Sequence, residues 1–277
     1  MSEKEPSERG GVSFGVIASA AVVALIVVVG AVVYFGRDSS HSSPSAAKGD
    51  GAPSTSVNAN ATGFAAPEVD LFGRRVDIPN NPAGQPLPQD PTKQKKSTDN
   101  DWLTAAPAGT ADPHGWQRVF GASVPFSTSD GPARLEDGLA VGYSHTPQGA
   151  AIAAAQITYR LNARPADREL YVRQVRVSAQ EVSLYDQALA DQRLPKQQPE
   201  KVTRYLVAPD AFQIENYADD MAIVRLAARG PIVDNRQLWA AVRLIMVWDA
   251  GDWRLKPSES KVPQTDYVDS LAGWTKW

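Results

Sequence analysis

The sequence predicts an α+β domain carried on an N-terminal transmembrane helix. Three features predict it. Residues 12–35 form an uninterrupted apolar run, an alanine-rich helix signal begins at Thr146–Pro147, and short β-branched and aromatic runs follow residue 202. Helices first and consecutive antiparallel strands afterwards is the α+β order.

The run 12–35 carries no charge, and at 1.5 Å per residue it reaches about 36 Å as a helix, enough to cross a hydrocarbon core of about 30 Å. It is longer than a cleaved signal core, follows a leader (1–11) with three glutamates against Lys4 and Arg9, and is followed by no clear small-residue cleavage site. With no cysteine in the chain, a lipoprotein anchor and thiol chemistry are excluded. Arg37 and Lys48 nearly balance the leader's positive charges, so the bulk of the chain decides orientation: a cytoplasmic leader and an exported C-terminal domain in a single-pass cell-membrane protein. Gly11, Gly15 and Ser19 recur every four residues, a small-residue ladder suited to helix–helix packing, although such residues are common in membrane helices generally.

Residues 36–101 are predicted to be a flexible Ser/Ala/Pro-rich linker. Its first part is serine, alanine, glycine and asparagine with almost no large apolar residue. Its second part, 64–93, interleaves Phe64, Val69, Leu71, Phe72, Val76, Ile78 and Leu87 with dense proline. Proline blocks helices and central strands, so this stretch is expected to be extended, as a spacer able to dock on a partner or on its own domain.

The exported domain is expected over 102–277. Ser129-Asp130-Gly131-Pro132 marks a turn. Thr146 is a hydroxyl cap and Pro147 a first-turn proline, so a helix runs from there to about Leu161. Its alanines and Ile152 and Ile157 make it apolar nearly all round, which predicts burial with elements packed close against it. A second, more polar helix is expected over 167–191. Strands are expected at 202–207, 211–217, 221–228, 238–248 and 253–255, with Asp249-Ala250-Gly251-Asp252 closing a hairpin. Both faces of 238–248 are mostly apolar, so it is predicted to be a central strand under the alanine-rich helix.

The phrases VPFSTSDGP, GYSHTPQGAAIAA, GDWRL and SLAGWTKW, in this order over residues 116–277, resemble a family of uncharacterised actinobacterial single-pass membrane proteins of conjugative and integrative elements. The layout is similar to type IV secretion scaffold subunits. That resemblance implies a cystatin-like (nuclear-transport-factor-like) cone, with helices packed on a curved antiparallel sheet. It also implies a non-catalytic scaffold or assembly subunit of a conjugation-type secretion or DNA-transfer apparatus. The implied partners are the membrane, other channel subunits and further copies of the chain. The alternative is an exported ligand-binding domain with a helix–sheet pocket.

No catalytic chemistry stands against this. His145 lies beside Ser144, but triad partners are rarely sequence neighbours and no G-x-S-x-G elbow occurs. Glu215, Asp219 and Asp220 form the nearest acidic cluster, at a strand end rather than in a metal-ligand pattern. No catalytic, cofactor or metal residue is therefore assigned. A net charge of −3 without a basic block gives no footprint for nucleic acid. Candidate partner-binding residues are Arg225 and Arg243 on neighbouring strands, and Trp274 and Trp277 in the aromatic tail. Both pairs have a structural alternative: ion pairing for the arginines, packing on the chain's own sheet for the tryptophans.

Overall fold

A computed structural model describes residues 61–258 and 265–277. The run 12–35, with Gly11, Gly15 and Ser19, lies outside the described residues. Among those described, no helix is long and apolar enough to cross a membrane.

The domain is α+β. At its centre lies α1 (Pro147–Ala163), all seventeen residues of which are buried. The Thr146 hydroxyl accepts from the Gly149 N–H at 2.9 Å and donates to buried Asp130 at 2.7 Å, so the cap is itself anchored. On one side α1 packs against an antiparallel sheet of β7 (Ala211–Ala218), β8 (Met221–Val233), β9 (Arg236–Asp249) and β10 (Asp252–Lys256). On the other it meets β4 (Ala122–Pro125), the last strand of a sheet ordered β1 (Phe64–Val69), β2 (Arg75–Pro79), β3 (Trp116–Val119), β4. A helix between two sheets buries its whole circumference, which is why alanine serves it: small side chains let both layers approach.

β9 is central, as its sequence predicts. Its Leu244 and Met246 join Phe212, Val224 and Leu226 in the core shared with α1. On its far edge β10 pairs with residues 245–249, while β11 (Thr265–Val268) pairs with 239–242. β10 and β11 are therefore two halves of one edge strand. The β9–β10 hairpin turns at Ala250 and Gly251, both at positive φ as a two-residue type I′ turn requires. A small hairpin, β5 (Arg134–Glu136) with β6 (Leu139–Val141), completes the side of the core carrying Leu139 and Ala140.

Three expectations are corrected. The stretch from Phe64 to residue 101, expected as linker, is built into the domain: β1 and β2 form a hairpin, β2 meets β3 in parallel at Asp77 and Gln117, and Asp90 N–H donates to Thr128 C=O. Its prolines sit in turns, at the end of β2 (Pro79) and in the bulge of edge strand β1 (Pro67), where a missing N–H removes no ladder bond. The expected helix over 167–191 is two, α2 (Arg168–Gln174) and α3 (Ala179–Ala190). The chain straightens between them because Val175 bridges Leu255 and the Arg176 N–H donates to the Leu255 carbonyl. Ser178 and Glu181 then form a reciprocal capping box that starts α3. The expected strand at 202–207 is instead a single helical turn, α4 (Glu200–Thr203), and a turn; Leu206 and Val207 are buried without a ladder.

The last strand, β12 (Thr275–Lys276), pairs with β7, on the opposite edge from β11. Residues 269–274 therefore cross the sheet as a strap. Ala211, Ala227 and Ala241 are cross-strand neighbours on the face away from α1, and all are fully buried. The row of small residues makes room for the strap.

Candidate interaction surface

Of the sequence-nominated residues, Arg225, Arg243 and Trp274 come together on the strap face. Arg225 and Arg243 are directly opposed on β8 and β9. Like charges so placed repel, and Glu215 lies between them, 2.6 Å from Arg243 Nε and 3.5 Å from Arg225 Nε. Asp266 approaches Arg225 at 3.4 Å, and the Arg225 guanidinium sits 5.0 Å from the Trp274 ring. Trp277 turns to the other face and packs on Phe212 at 4.5 Å and edge-on to Trp116 at 5.5 Å. Thr275 donates to the Thr104 carbonyl. Within the chain these residues fasten the strap.

His145 fastens a different corner. Its ring stacks on Trp248 at 4.1 Å and donates from Nε2 to the Asp219 carbonyl, while its own carbonyl accepts from Tyr217 at 3.0 Å. Ser144 Oγ is turned to Asp130 at 2.6 Å. The two side chains are thus held by different partners. Among the described residues no three His, Cys, Asp or Glu side chains group as metal ligands; Glu215 points to arginines, and Asp219 and Asp220 form the β7–β8 turn.

Another surface was not legible in the sequence. Of the seven large apolar side chains exposed among the described residues, six lie at one end of the domain: Val69, Leu71, Phe72, Ile232, Val233 and Tyr267. The first three form the β1–β2 tip. Ile232 and Val233 belong to the outer part of the β8–β9 hairpin, beyond the last residues paired with the flanking strands β7 and β11. Phe72 and Arg229 join the two parts, ring to guanidinium at 4.7 Å. A side chain at Gly230 would touch Tyr267, which places that ring beside the base of the ribbon.

Asp210 holds this end together. Its carboxylate accepts from Arg74 at 2.7 Å, Arg229 at 2.9 Å and the Trp239 indole at 2.7 Å. Arg74 also donates to Asp70 and to the Ala208 carbonyl, each at 2.7 Å. Charge-assisted bonds of this kind fix geometry, so the apolar tips stand on a rigid base. The one available sequence signal was PIVDNR: Asp234 and Asn235 both have positive φ and close a type I′ turn, which extends the flanking strands past their expected ends at 228 and 238.

These features define an α+β domain with an exposed apolar end. The chain belongs to the family described as domain of unknown function DUF8175, whose profile matches residues 77–276. The matched span starts in β2, in keeping with a domain that begins before residue 101. No curated protein and no solved structure matches the chain.

Proposed function

We propose that the chain is a membrane-anchored, non-catalytic assembly subunit of a conjugation-type, type IV-like secretion or DNA-transfer apparatus, exported domain outward, and that this domain works by binding protein at its apolar end. The observation that carries the binding role is the gathering of six exposed apolar side chains on a base pinned by Asp210. Patches of this kind on soluble domains mark contact sites. The anchored-apparatus part rests on the apolar run 12–35 and on the resemblance of the local phrases over 116–277. Support for a cystatin-like cone comes from α1 laid across the antiparallel β7–β10 sheet; the β1–β4 sheet on the helix's other side is an addition to it.

Contact through Arg225, Arg243 and Trp274 would require Glu215 and Asp266 to release the arginines, whereas the apolar end needs no such exchange. The helix–sheet pocket of the ligand-binding alternative is disfavoured by the burial of every residue of α1.

Cross-linking and pull-down from native membranes tests the proposal. Full-length chain should recover channel subunits, and both Phe72→Asp and a chain lacking residues 1–36 should recover fewer. A folded, membrane-inserted chain that captures none of them ends the assembly role.

A further inference from the structure

We propose that the strap and β12, residues 269–277, hold closed a strand-addition site that takes an extended protein segment carrying an aromatic side chain. The site is separate from the apolar end and does not rest on the binding role of that end. None of the nine residues 269–277 is buried; each is half-buried or exposed. Beneath them Ala211, Ala227 and Ala241 are fully buried. A segment that buries none of its own residues adds little to the core, and its departure uncovers a floor of alanine methyls. The two sheets stay joined without it, through α1 and through the Arg74–Asp210 pair. Its departure also strands no charge, because Glu215 pairs with both Arg225 and Arg243.

The strap itself shows the chemistry that the site takes. The ladder between β12 and β7 is two residues long, Thr275 with Phe212 and Lys276 with Ala211. β7 continues to Ala218, and beyond Phe212 no strand pairs with that edge among the described residues. An edge of this kind accepts an added strand through its main chain, and a pocket beside it selects the side chain. Here the pocket is the seat of Trp277, made by Phe212 and Trp116. Trp277 fills it imperfectly: its indole N–H is buried with no acceptor among the described residues. An unpaired buried donor costs free energy that a phenylalanine in the same seat would not. The seat therefore fits an aromatic ring in general, and a foreign segment can compete for it.

The test compares the full-length chain with a chain stopped after Val268. The probe is a dye-labelled peptide of residues 269–277, read by fluorescence anisotropy. The shortened chain should remain folded, with a cooperative urea transition, and should bind the peptide. The intact chain should bind it at least about tenfold more weakly, because its own strap competes at high effective concentration. A Trp277→Ala peptide should lose at least about tenfold in affinity, as should a peptide with Thr275→Pro and Lys276→Pro, which brings no ladder N–H. A Trp277→Phe peptide should bind no more weakly than the native one. A shortened chain that does not fold overturns the proposal, since the strap would then be part of the core. So does a folded shortened chain that ignores the peptide, equal binding by the intact chain, or binding unchanged by the alanine or proline substitutions. Loss of binding by the Trp277→Phe peptide would make the seat specific to the strap, and that too ends the proposal.

Discussion

Asp77 shows how a single buried carboxylate can knit distant segments. It accepts from Arg75 at 2.6 Å and from the His114 N–H at 2.8 Å, joining β2 to the loop before β3. Burial pushes its carboxyl up, but the Arg75 bond, the His114 N–H and the charges of both residues together hold it below the ordinary value. A lowered folded value means its contribution is present above the unfolded value, near 3.8, and is lost as pH falls through the folded one. Asp77→Asn should therefore cost about 1 kcal/mol at about pH 7, after allowance for the exposed Arg75, and progressively less as pH falls below the unfolded value. Urea unfolding followed by tryptophan fluorescence checks this, since all seven tryptophans lie beyond residue 101. A gap unchanged at low pH would mean the bonds at Asp77 do not depend on its charge. Asp252 works in the opposite sense. Burial raises it despite three backbone N–H donors, so its share of stability falls as pH rises through its folded value.

Among the elements, α1 has the tightest surroundings. Gly149 sits in its first turn, where alanine would ordinarily gain about 1 kcal/mol of helix propensity. An added Cβ would be driven into the Ser144 carbonyl oxygen, and backbone there cannot yield cheaply. Gly149→Ala should thus destabilise by about 2 kcal/mol despite the propensity gain, seen as a lower urea midpoint with an unchanged slope. A neutral or stabilised variant would show that the 144–149 turn is looser than its geometry. The start of this helix was legible at Thr146–Pro147, and its burial followed from an apolar circumference. The break between α2 and α3 was partly legible too, because Ser178-x-x-Glu181 is a capping-box pattern. What ends α2 is Leu255, a strand residue about eighty positions away, and no local window contains it.

At the scale of the whole molecule, the strap closes the domain. Trp277 joins Phe212 on β7 to Trp116 on β3, and thereby ties the two sheets together. Trp277→Ala should lower stability by about 2 kcal/mol, less than a fully buried tryptophan because the ring is only half-buried. Hydrogen exchange should then rise in β12 and along the β7 edge. Exchange raised evenly across the domain, or not at all, would argue against a strap that acts locally.

The sequence by itself determined the α+β order, the buried alanine helix, the central strand 238–248 and the hairpin at 249–252. Each is written in a local period, a cap or a turn pair, and local backbone preferences are enough to express it. Only the tertiary structure decided that 64–101 folds into the domain, that Trp274 and Trp277 secure a strap, and that two distant tips form one apolar end. Those outcomes depend on Asp77, Asp210 and Glu215 finding partners far along the chain, and composition and periodicity hold no record of which segments will meet.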